Sequence, residues 1–211
     1  MRLIMQILYQ DKHMLVVNKP SGLLSQPGSL DDSVIHRLKN KFQFIGQVHR
    51  LDQSTSGIMV FGLTKKSQSN LSIQFQDRNT FKLYEAIVYG KLNSHIGNVN
   101  LPIRCDWPNR PRQEIHQLGK QSLTHWQLVK HEEIGEKKEI CSRVLLIPHT
   151  GRSHQLRIHM SELGFPILGD YFYANEEIFR MSSRLNLHAK QLNLNHPITK
   201  QRLSFTSKTP F

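Results

Sequence analysis

Cysteines and long apolar runs are scarce in this sequence, and each scarcity excludes a class of protein. The 211 residues include two cysteines, Cys105 and Cys141, which form no C-x-x-C pair. We therefore expect a reduced protein without a disulfide framework or a cysteine-rich metal centre. The longest apolar runs, such as residues 58–63, fall far short of the roughly 20 residues that span a bilayer, and the N-terminal segment lacks a signal-peptide core. We expect a cytoplasmic protein with no membrane partner.

Acidic residues are also few. The chain has 16 Asp and Glu against 28 Lys and Arg, which gives a formal net charge of +12 and a pI near 9.9. Such a surface attracts polyanions, so nucleic acid is the leading candidate partner. The histidines are scattered, and His154 and His159 lack the i, i+4 spacing with which a helix binds zinc. We expect no metal site.

Long linkers, internal repeats and low-complexity tracts are missing, which favours one domain over residues 1–211. Patterning predicts strands at 13–20, 57–64, 81–90, 121–131, 139–148 and twice after residue 186, and helices at 64–77 and 153–163. Strands outnumber helices and mostly follow one another directly. The sequence therefore predicts an α+β domain with a mixed, mainly antiparallel central β-sheet flanked by helices and loops.

The segment HRLDQSTSG, residues 49–57, places a carboxylate two residues after an arginine and just before an apolar run. If Arg50 to Asp52 is extended, both side chains point to one face. A neighbouring cation would keep Asp52 ionised, as a nucleophile or a general base requires. The alternative is that Asp52 merely accepts backbone hydrogen bonds in a turn.

A second segment, residues 149–173, concentrates cations at a predicted helix start. Arg152, His154, Arg157 and His159 fall within eight residues. Helix starts and clustered guanidinium groups favour phosphate or carboxylate ligands. The alternative is an ordinary basic helix on a basic protein.

Five motifs together resemble the RluA family of pseudouridine synthases and occur in the family's order. They are VVNKPSGL at 16–23, HRLDQSTSG at 49–57, FKLYEAIVYG at 81–90, GRSHQLRIH at 151–159 and LGFPILGDYFY at 163–173. The resemblance implies that Asp52 is the catalytic aspartate and Arg152 its ion-pair partner. It also implies that Tyr84 lies against the target uracil.

The resemblance extends to residues around these three. Leu156 matches an apolar residue that closes the pocket around the base, and Arg50 matches one that fills the gap left by the extruded nucleotide. Lys19 and Pro20 match a motif that supports the aspartate-bearing loop. We also assign to substrate binding three residues within the matched motifs: His49, Thr55 and Arg157.

Isomerisation of uridine to pseudouridine is the activity that the resemblance implies. The reaction changes no composition, so it needs neither a redox cofactor nor a metal, and a paired target must be flipped out of its helix. Many members carry a small RNA-binding domain before the catalytic domain, and because the matched motifs begin close to the first residue of this sequence we expect no such domain here. The short chain and the segment 105–113 are most similar to the member that modifies a hairpin of 23S ribosomal RNA and the tRNA anticodon stem-loop. The same two RNAs are implied as partners, and the lack of heptads leads us to expect a monomer.

Two other functions are compatible with the basic composition. One is a catalytically silent RNA-binding or ribosome-assembly module, which does not need Asp52. The other is a metal-dependent nuclease, which needs clustered carboxylates. The adjacent acidic pairs are Asp31 with Asp32 and Glu132 with Glu133, both in predicted polar loops.

Overall fold

The computed structural model describes residues 4–28 and 32–211. The chain forms two compact units: the first spans Met1–Lys82 and His188–Pro210, and the second spans Leu83–Leu187 together with Phe211. In the described ranges, none of the helices has the length and apolar character needed to cross a membrane.

Twelve strands and four helices make up the described chain. The strands are β1 (Gln6–Gln10), β2 (Met14–Lys19), β3 (Gly46–Gln47), β4 (Ser56–Gly62), β5 (Phe81–Tyr89), β6 (Ile96–Asn100), β7 (Ile103–Cys105), β8 (Gln113–Ile115), β9 (Leu123–Ile134), β10 (Glu139–Pro148), β11 (Leu187–Asn195) and β12 (Arg202–Thr206). The helices are α1 (Val34–Lys39), α2 (Lys65–Gln76), α3 (Gln155–Glu162) and α4 (Glu176–Arg180).

The first unit is built on the strand order β1-β2-β4-β11-β12, with β3 also paired to β4. The β4–β11 pair is parallel and the other pairs are antiparallel. All seven residues of β4 are buried, as expected for an apolar strand covered on both faces. Helix α2 begins after Thr64, whose hydroxyl accepts the Ser67 N–H, and it packs Leu71 and Phe75 on the core cluster that includes Ile58 and Val60 of β4.

The second unit is antiparallel, with the order β5-β10-β9-β6 and a separate small hairpin of β7 and β8. Alternate residues of β10, Val144 and Leu146, are buried in the core cluster that also holds Trp126 of β9 and Met160 of α3. The alternation of β10 is what allows one face of the sheet to pack on α3.

The predicted α+β class with a mixed, mainly antiparallel sheet is confirmed, and the predicted strands and helices are present with shifted ends. The helix predicted from residue 153 begins at Gln155, because His154 has the left-handed φ of 55°, which cannot continue a right-handed helix. The turn predicted before residue 139 is shorter, because β9 continues to Ile134. The short elements α1, α4, β3, β6, β7 and β8 were missed, since two to six residues carry too little periodicity to be recognised.

Gly57 is the position in β4 where close approach of another strand leaves no space for a side chain. A Cβ added there would lie 2.4 Å from the carbonyl oxygen of Ala189 in β11, and the φ of Gly57 is +120°. Gly135 also has a positive φ, +78°, but nothing lies within 4 Å of an added Cβ. A substitution at Gly57 introduces both steric overlap and backbone strain, whereas the same substitution at Gly135 introduces strain alone.

We predict that Gly57→Ala lowers the free energy of unfolding by about 3 kcal/mol or more, because the new methyl group overlaps the backbone of β11. Gly135→Ala is the matched control and should cost about 1–2 kcal/mol, the strain of a positive φ alone. Urea unfolding of both variants measures the difference. Equal losses would contradict the assigned overlap.

Candidate active site

The segment at residues 48–55, here called the aspartate loop, connects β3 to β4 in the first unit. Asp52 is half-buried and Arg50 is exposed. The Asp52 carbonyl accepts the N–H of Thr55 at 3.1 Å, so Asp52 begins a turn that leads into β4. The backbone at Asp52 thus forms a turn, as the alternative interpretation of this segment expects.

Lys19, at the end of β2, binds the backbone of the aspartate loop. Its side chain is fully buried, and Nζ donates to the carbonyl oxygens of Gln53 at 2.9 Å, Leu23 at 2.8 Å and Pro20 at 3.0 Å. A buried ammonium group is costly unless its three protons are bonded, and here each has a carbonyl acceptor. The expected supporting role of the Lys19 motif is confirmed by these hydrogen bonds.

Serine side chains fix the loop on either side of Asp52. The Ser25 hydroxyl donates to the Leu51 carbonyl at 2.6 Å and accepts the Leu51 N–H at 3.1 Å. Ser21 Oγ donates to the Ser54 carbonyl at 2.6 Å. Leu51, immediately before Asp52, and Ser54, two positions after it, are thus hydrogen-bonded to the segment at 19–25.

His49 opens the aspartate loop and is held by strand β4. Its Nε2 accepts the N–H of Val60 at 3.0 Å, and its ring stacks on Phe75 with centroids 4.5 Å apart and an interplanar angle of 14°. Burial, and secondarily the nearby Lys82 charge, lower the pKa of His49 from 6.5 to about 3. The imidazole is therefore neutral near pH 7 and carries its proton on Nδ1.

Two buried hydroxyl groups follow Asp52. The Thr55 hydroxyl has no hydrogen-bond partner among the described residues. Ser56 Oγ lies 2.7 Å from His188 Nδ1, and His188 Nε2 lies 3.1 Å from Ser207 Oγ. The spacing of 132 residues between Ser56 and His188 explains why sequence patterns did not find this chain of bonds.

Arg152 lies in the second unit, in the loop before α3, and Gln155 fixes this loop. Gln155 Oε1 accepts the Thr150 hydroxyl at 2.7 Å and the Arg152 N–H at 3.1 Å, while its Nε2 donates to the Leu123 carbonyl and the Thr124 hydroxyl at 3.0 Å each. The Nε atom of Arg152 is buried without a hydrogen-bond partner in the described ranges. Sequence reasoning missed Gln155, whose four bonds depend on the fold of β9.

Tyr84 and Leu156 lie in the same apolar cluster of the second unit. Leu156 is 6% exposed, and Tyr84 is a partly buried member that packs against the cluster. Tyr84 is also the strand partner of Leu146 in the β5–β10 pair. The structure thus places in one cluster the residue expected against the uracil and the residue expected to close the pocket around the base.

The other three residues named in this motif, His154, Arg157 and His159, are buried, and Arg157 binds one of the two expected kinds of ligand, a carboxylate. Arg157 is 2% exposed. Its Nε and Nη2 bind both carboxylate oxygens of Asp170 at 2.7 and 2.6 Å, and its guanidinium lies 5.3 Å from the rings of Phe172 and Tyr173. The substrate-binding assignment of Arg157 stays a prediction.

The two histidines of this motif are likewise internal. His154 Nδ1 lies 2.8 Å from the Tyr173 hydroxyl. His159 Nδ1 lies 3.0 Å from the Thr124 hydroxyl and its Nε2 lies 3.1 Å from the Leu101 carbonyl. The clustering seen in the sequence therefore serves the packing of α3, because a helix that is buried on most sides must pair its polar groups internally.

Two of the carboxylates considered for a nuclease, Asp32 and Glu132, are paired with arginines. Asp32 binds Arg37 Nε at 2.6 Å, and Glu132 Oε1 lies 3.0 Å from Arg143 Nη2; Asp31 lies outside the described residues. Across residues 4–28 and 32–211, no group of three His, Cys, Asp or Glu side chains is placed to hold a metal ion.

The fold and these motifs define a class of protein. The family model described as RNA pseudouridylate synthase matches residues 13–162, and the chain belongs to this family. The chain is an RNA pseudouridine synthase, and RNA is its substrate.

Particular relatives are similar over nearly the whole chain. The dual-specificity RNA pseudouridine synthase RluA of Haemophilus influenzae is 49% identical to this chain. The alignment covers 98% of this chain and 94% of that protein. RluA of Escherichia coli K12 is 46% identical over 209 residues, with 97% and 93% covered. The solved structure of human RNA pseudouridylate synthase domain containing 1 has a TM-score of 0.85 and 29% identity, and the match covers 99% of this chain and 84% of that one.

We predict that His49→Gln flattens the pH dependence of stability on the acid side. Because the pKa of folded His49 is about 3 and that of an unfolded histidine is about 6.5, the unfolded chain binds the extra proton between these values. The His49 contribution is therefore complete above the unfolded pKa and is lost as pH falls toward the folded one. A glutamine oxygen can still accept the Val60 N–H but does not titrate.

Urea midpoints at about pH 7.5, 6 and 4.5 measure this slope in both proteins. Parallel curves for the parent and His49→Gln would show that His49 does not titrate differently on folding.

Proposed function

We propose that this RNA pseudouridine synthase modifies one uridine in a hairpin of 23S ribosomal RNA and one in the tRNA anticodon stem-loop. In this proposal the protein acts as a monomeric catalytic domain in the cytoplasm, with Asp52, Arg152 and Tyr84 as catalytic residues. The double specificity is supported by relatives that are 45–49% identical to this chain and are named dual-specificity RNA pseudouridine synthases. The single observation on which the catalytic assignment rests is the fixed backbone on both sides of Asp52.

Asp52 is suited to the reaction because its loop is ordered before substrate binds. A catalytic group held in place by existing hydrogen bonds does not lose conformational freedom when the substrate arrives. The buried ammonium of Lys19 and the hydroxyls of Ser21 and Ser25 supply those bonds. Asp52 then acts at the ribose, either as a nucleophile or as a base.

The chemistry is an isomerisation that balances without a co-reactant. The bond from ribose C1′ to uracil N1 breaks, the base rotates, and a bond from C1′ to C5 forms. The proton of C5 leaves and N1 gains a proton. An ionised Asp52 serves either route to cleavage, and we assign to Arg152 the role of its cationic partner, since an opposite charge favours the ionised form.

Arg152 differs from the ion-paired arginines of its unit in having a buried donor without a partner. Its Nε–H has no hydrogen-bond partner among the described residues, whereas Arg104, Arg143 and Arg157 bind Glu114, Glu85 and Asp170. Gln155 fixes the Arg152 backbone. These features support a guanidinium reserved for a reacting group rather than for folding.

Tyr84 and Leu156 fit the requirement that the cleaved base must turn without leaving. A ring stacked on the flipped base offsets the cost of unstacking by about 1–3 kcal/mol. An apolar wall forms no hydrogen bonds with the base, so none has to break when the base rotates. Arg50, His49 and Thr55 complete the proposed substrate contacts. Arg157 belongs to the same proposed set, and its buried pair with Asp170 fixes its position.

We predict that Asp52→Asn abolishes pseudouridine formation and leaves RNA affinity largely intact, because the amide can neither attack nor accept a ribose proton as a carboxylate does. The assay uses stem-loop RNA with tritium at uridine C5, in the presence of chelator, and measures tritium release. Asp77→Asn is the matched control, since Asp77 is an exposed carboxylate at the end of α2 in the same unit, and it should retain the parent rate.

The same assay separates the alternatives. Retained turnover in Asp52→Asn would refute the assignment of this residue. RNA binding by the parent protein without tritium release would indicate a silent RNA-binding module, and cleaved RNA that disappears with chelator would indicate a nuclease.

We predict that Arg152→Met slows synthesis by about 10²-fold or more, the loss typical of removing one charged group from a reacting centre. Arg180→Met is the control, because Arg180 is an exposed arginine of α4 whose side chain is 74% accessible. Single-turnover rates with saturating RNA measure the effect. A near-normal rate for Arg152→Met across neutral pH would count against the ion-pair assignment.

A further inference from the structure

Trp107 stands out among the aromatic residues because it is exposed. Its relative exposure is 68%, whereas the other tryptophan, Trp126, is 7% exposed and belongs to the core. The guanidinium carbon of Arg110 lies 4.9 Å from the centroid of the Trp107 ring. The pair therefore presents a flat cationic surface, with most of the indole open to solvent.

The turn that carries Trp107 is ordered by its own hydrogen bonds. The Asp106 N–H donates to the Arg112 carbonyl at 3.1 Å, and the Arg112 N–H donates to the Asn109 carbonyl at 3.0 Å. The Asn109 amide binds both carboxylate oxygens of Asp106 at 2.9 and 3.1 Å. A ligand that contacts Trp107 meets a preorganised turn, so binding requires little additional ordering.

The turn is also tied to the loop that carries Arg152. The Gln113 N–H donates to the Tyr173 hydroxyl at 2.8 Å, and the same hydroxyl lies 2.8 Å from Nδ1 of His154. His154 is two residues from Arg152. Within the second unit, the start of β8, which directly follows the turn, is therefore linked through the Tyr173 hydroxyl to the segment that holds a proposed catalytic residue.

The charge around Trp107 favours an anionic partner. In the described chain neither Arg110 nor Arg112 forms an ion pair, while the neighbouring Arg104 is neutralised by Glu114 at 2.6 Å. The Asp106 carboxylate, next to Trp107 in the chain, is bound by the Asn109 amide and forms no ion pair with Arg110 or Arg112. An exposed aromatic ring beside the guanidinium of Arg110, which has no carboxylate partner in the described chain, has the composition of surfaces that stack unpaired nucleobases.

We propose that Trp107 and Arg110 form a stacking surface for one unpaired base of the substrate RNA outside the target uridine. This inference rests on the proposed function, because it takes a stem-loop RNA as the substrate. The base stacks on the open face of the indole, and the arginine on the other side contributes a cation–π contact and charge toward the phosphates. Trp107 then selects RNAs that offer an unpaired base at the correct distance from the target.

The first test is affinity. Loss of one base–aromatic stack weakens binding by about 5-fold to 150-fold, so Trp107→Ala should raise the Kd for an anticodon stem-loop at fixed salt by at least fivefold. Trp107→Phe should restore part of the affinity, since it keeps a stacking ring. Leu118→Ala is the matched control, because Leu118 is 83% exposed but follows β8, at the opposite end of the hairpin, and it should bind like the parent.

The second test locates the base. Each loop nucleotide outside the target is replaced in turn by an abasic nucleotide, and every RNA is titrated against the parent and Trp107→Ala. One abasic position should weaken the parent strongly and the variant hardly at all, as expected for two halves of one contact. RNA should also quench the tryptophan fluorescence of the parent but not that of Trp107→Phe.

Three results would overturn the proposal. They are unchanged affinity of Trp107→Ala, equal abasic penalties in the two proteins at every position, and a concentration-dependent dimer that Trp107→Ala abolishes, which would assign the surface to a second copy. Failure of the proposed function is distinguishable, because it appears as missing tritium release from the parent protein, whatever the affinities are.

Discussion

The buried ammonium of Lys19 is the interaction on which the aspartate loop depends. It ends a strand whose preceding residues are core, and it binds the Gln53 carbonyl one residue after Asp52. Hydrogen bonds from a charged donor contribute about 1.5–3 kcal/mol each, and the cost of desolvating the ammonium makes the arrangement stable only when all three carbonyls are in place. Strand β2, the turn at residues 20–23 and the aspartate loop must therefore form together, which couples the position of Asp52 to the core of its unit.

The second unit uses its charges in an unequal way. Arg157 and Arg143 are buried with carboxylate partners, and the histidines of α3 bond to hydroxyl and carbonyl groups. Arg152 is held through its backbone by Gln155 and has a buried Nε–H without a described partner. Buried polar groups are nearly always paired, so a buried guanidinium donor without a partner among the described residues supports the proposed role of Arg152.

The net charge of +12 does not distinguish exposed cations from buried ones. A salt-dependent attraction to RNA needs exposed cations, and those are found at positions such as Arg50 and Arg110 rather than in the arginine-rich motif itself. The motif at residues 149–159 looks like a phosphate site in the sequence because linear clustering does not distinguish a solvated guanidinium from one buried against Asp170. An exposed arginine is available to phosphates, whereas a buried arginine such as Arg157 stabilises the fold, and both count equally in the net charge.

The sequence by itself determined the secondary structure of the long strands and of α2, because β4 is a continuous apolar run and Thr64 is a helix N-cap, signals that act over a few residues. It also determined the family, through five motifs in order, and the expectation that Lys19 supports the loop of Asp52. Only the tertiary structure decided that His154, Arg157 and His159 are internal, that Ser56 bonds to His188, and that Gln155 fixes Arg152. These contacts join residues that are far apart in the chain or on neighbouring elements, so burial and partner identity are properties of the packed fold, which local patterns of residue type do not encode.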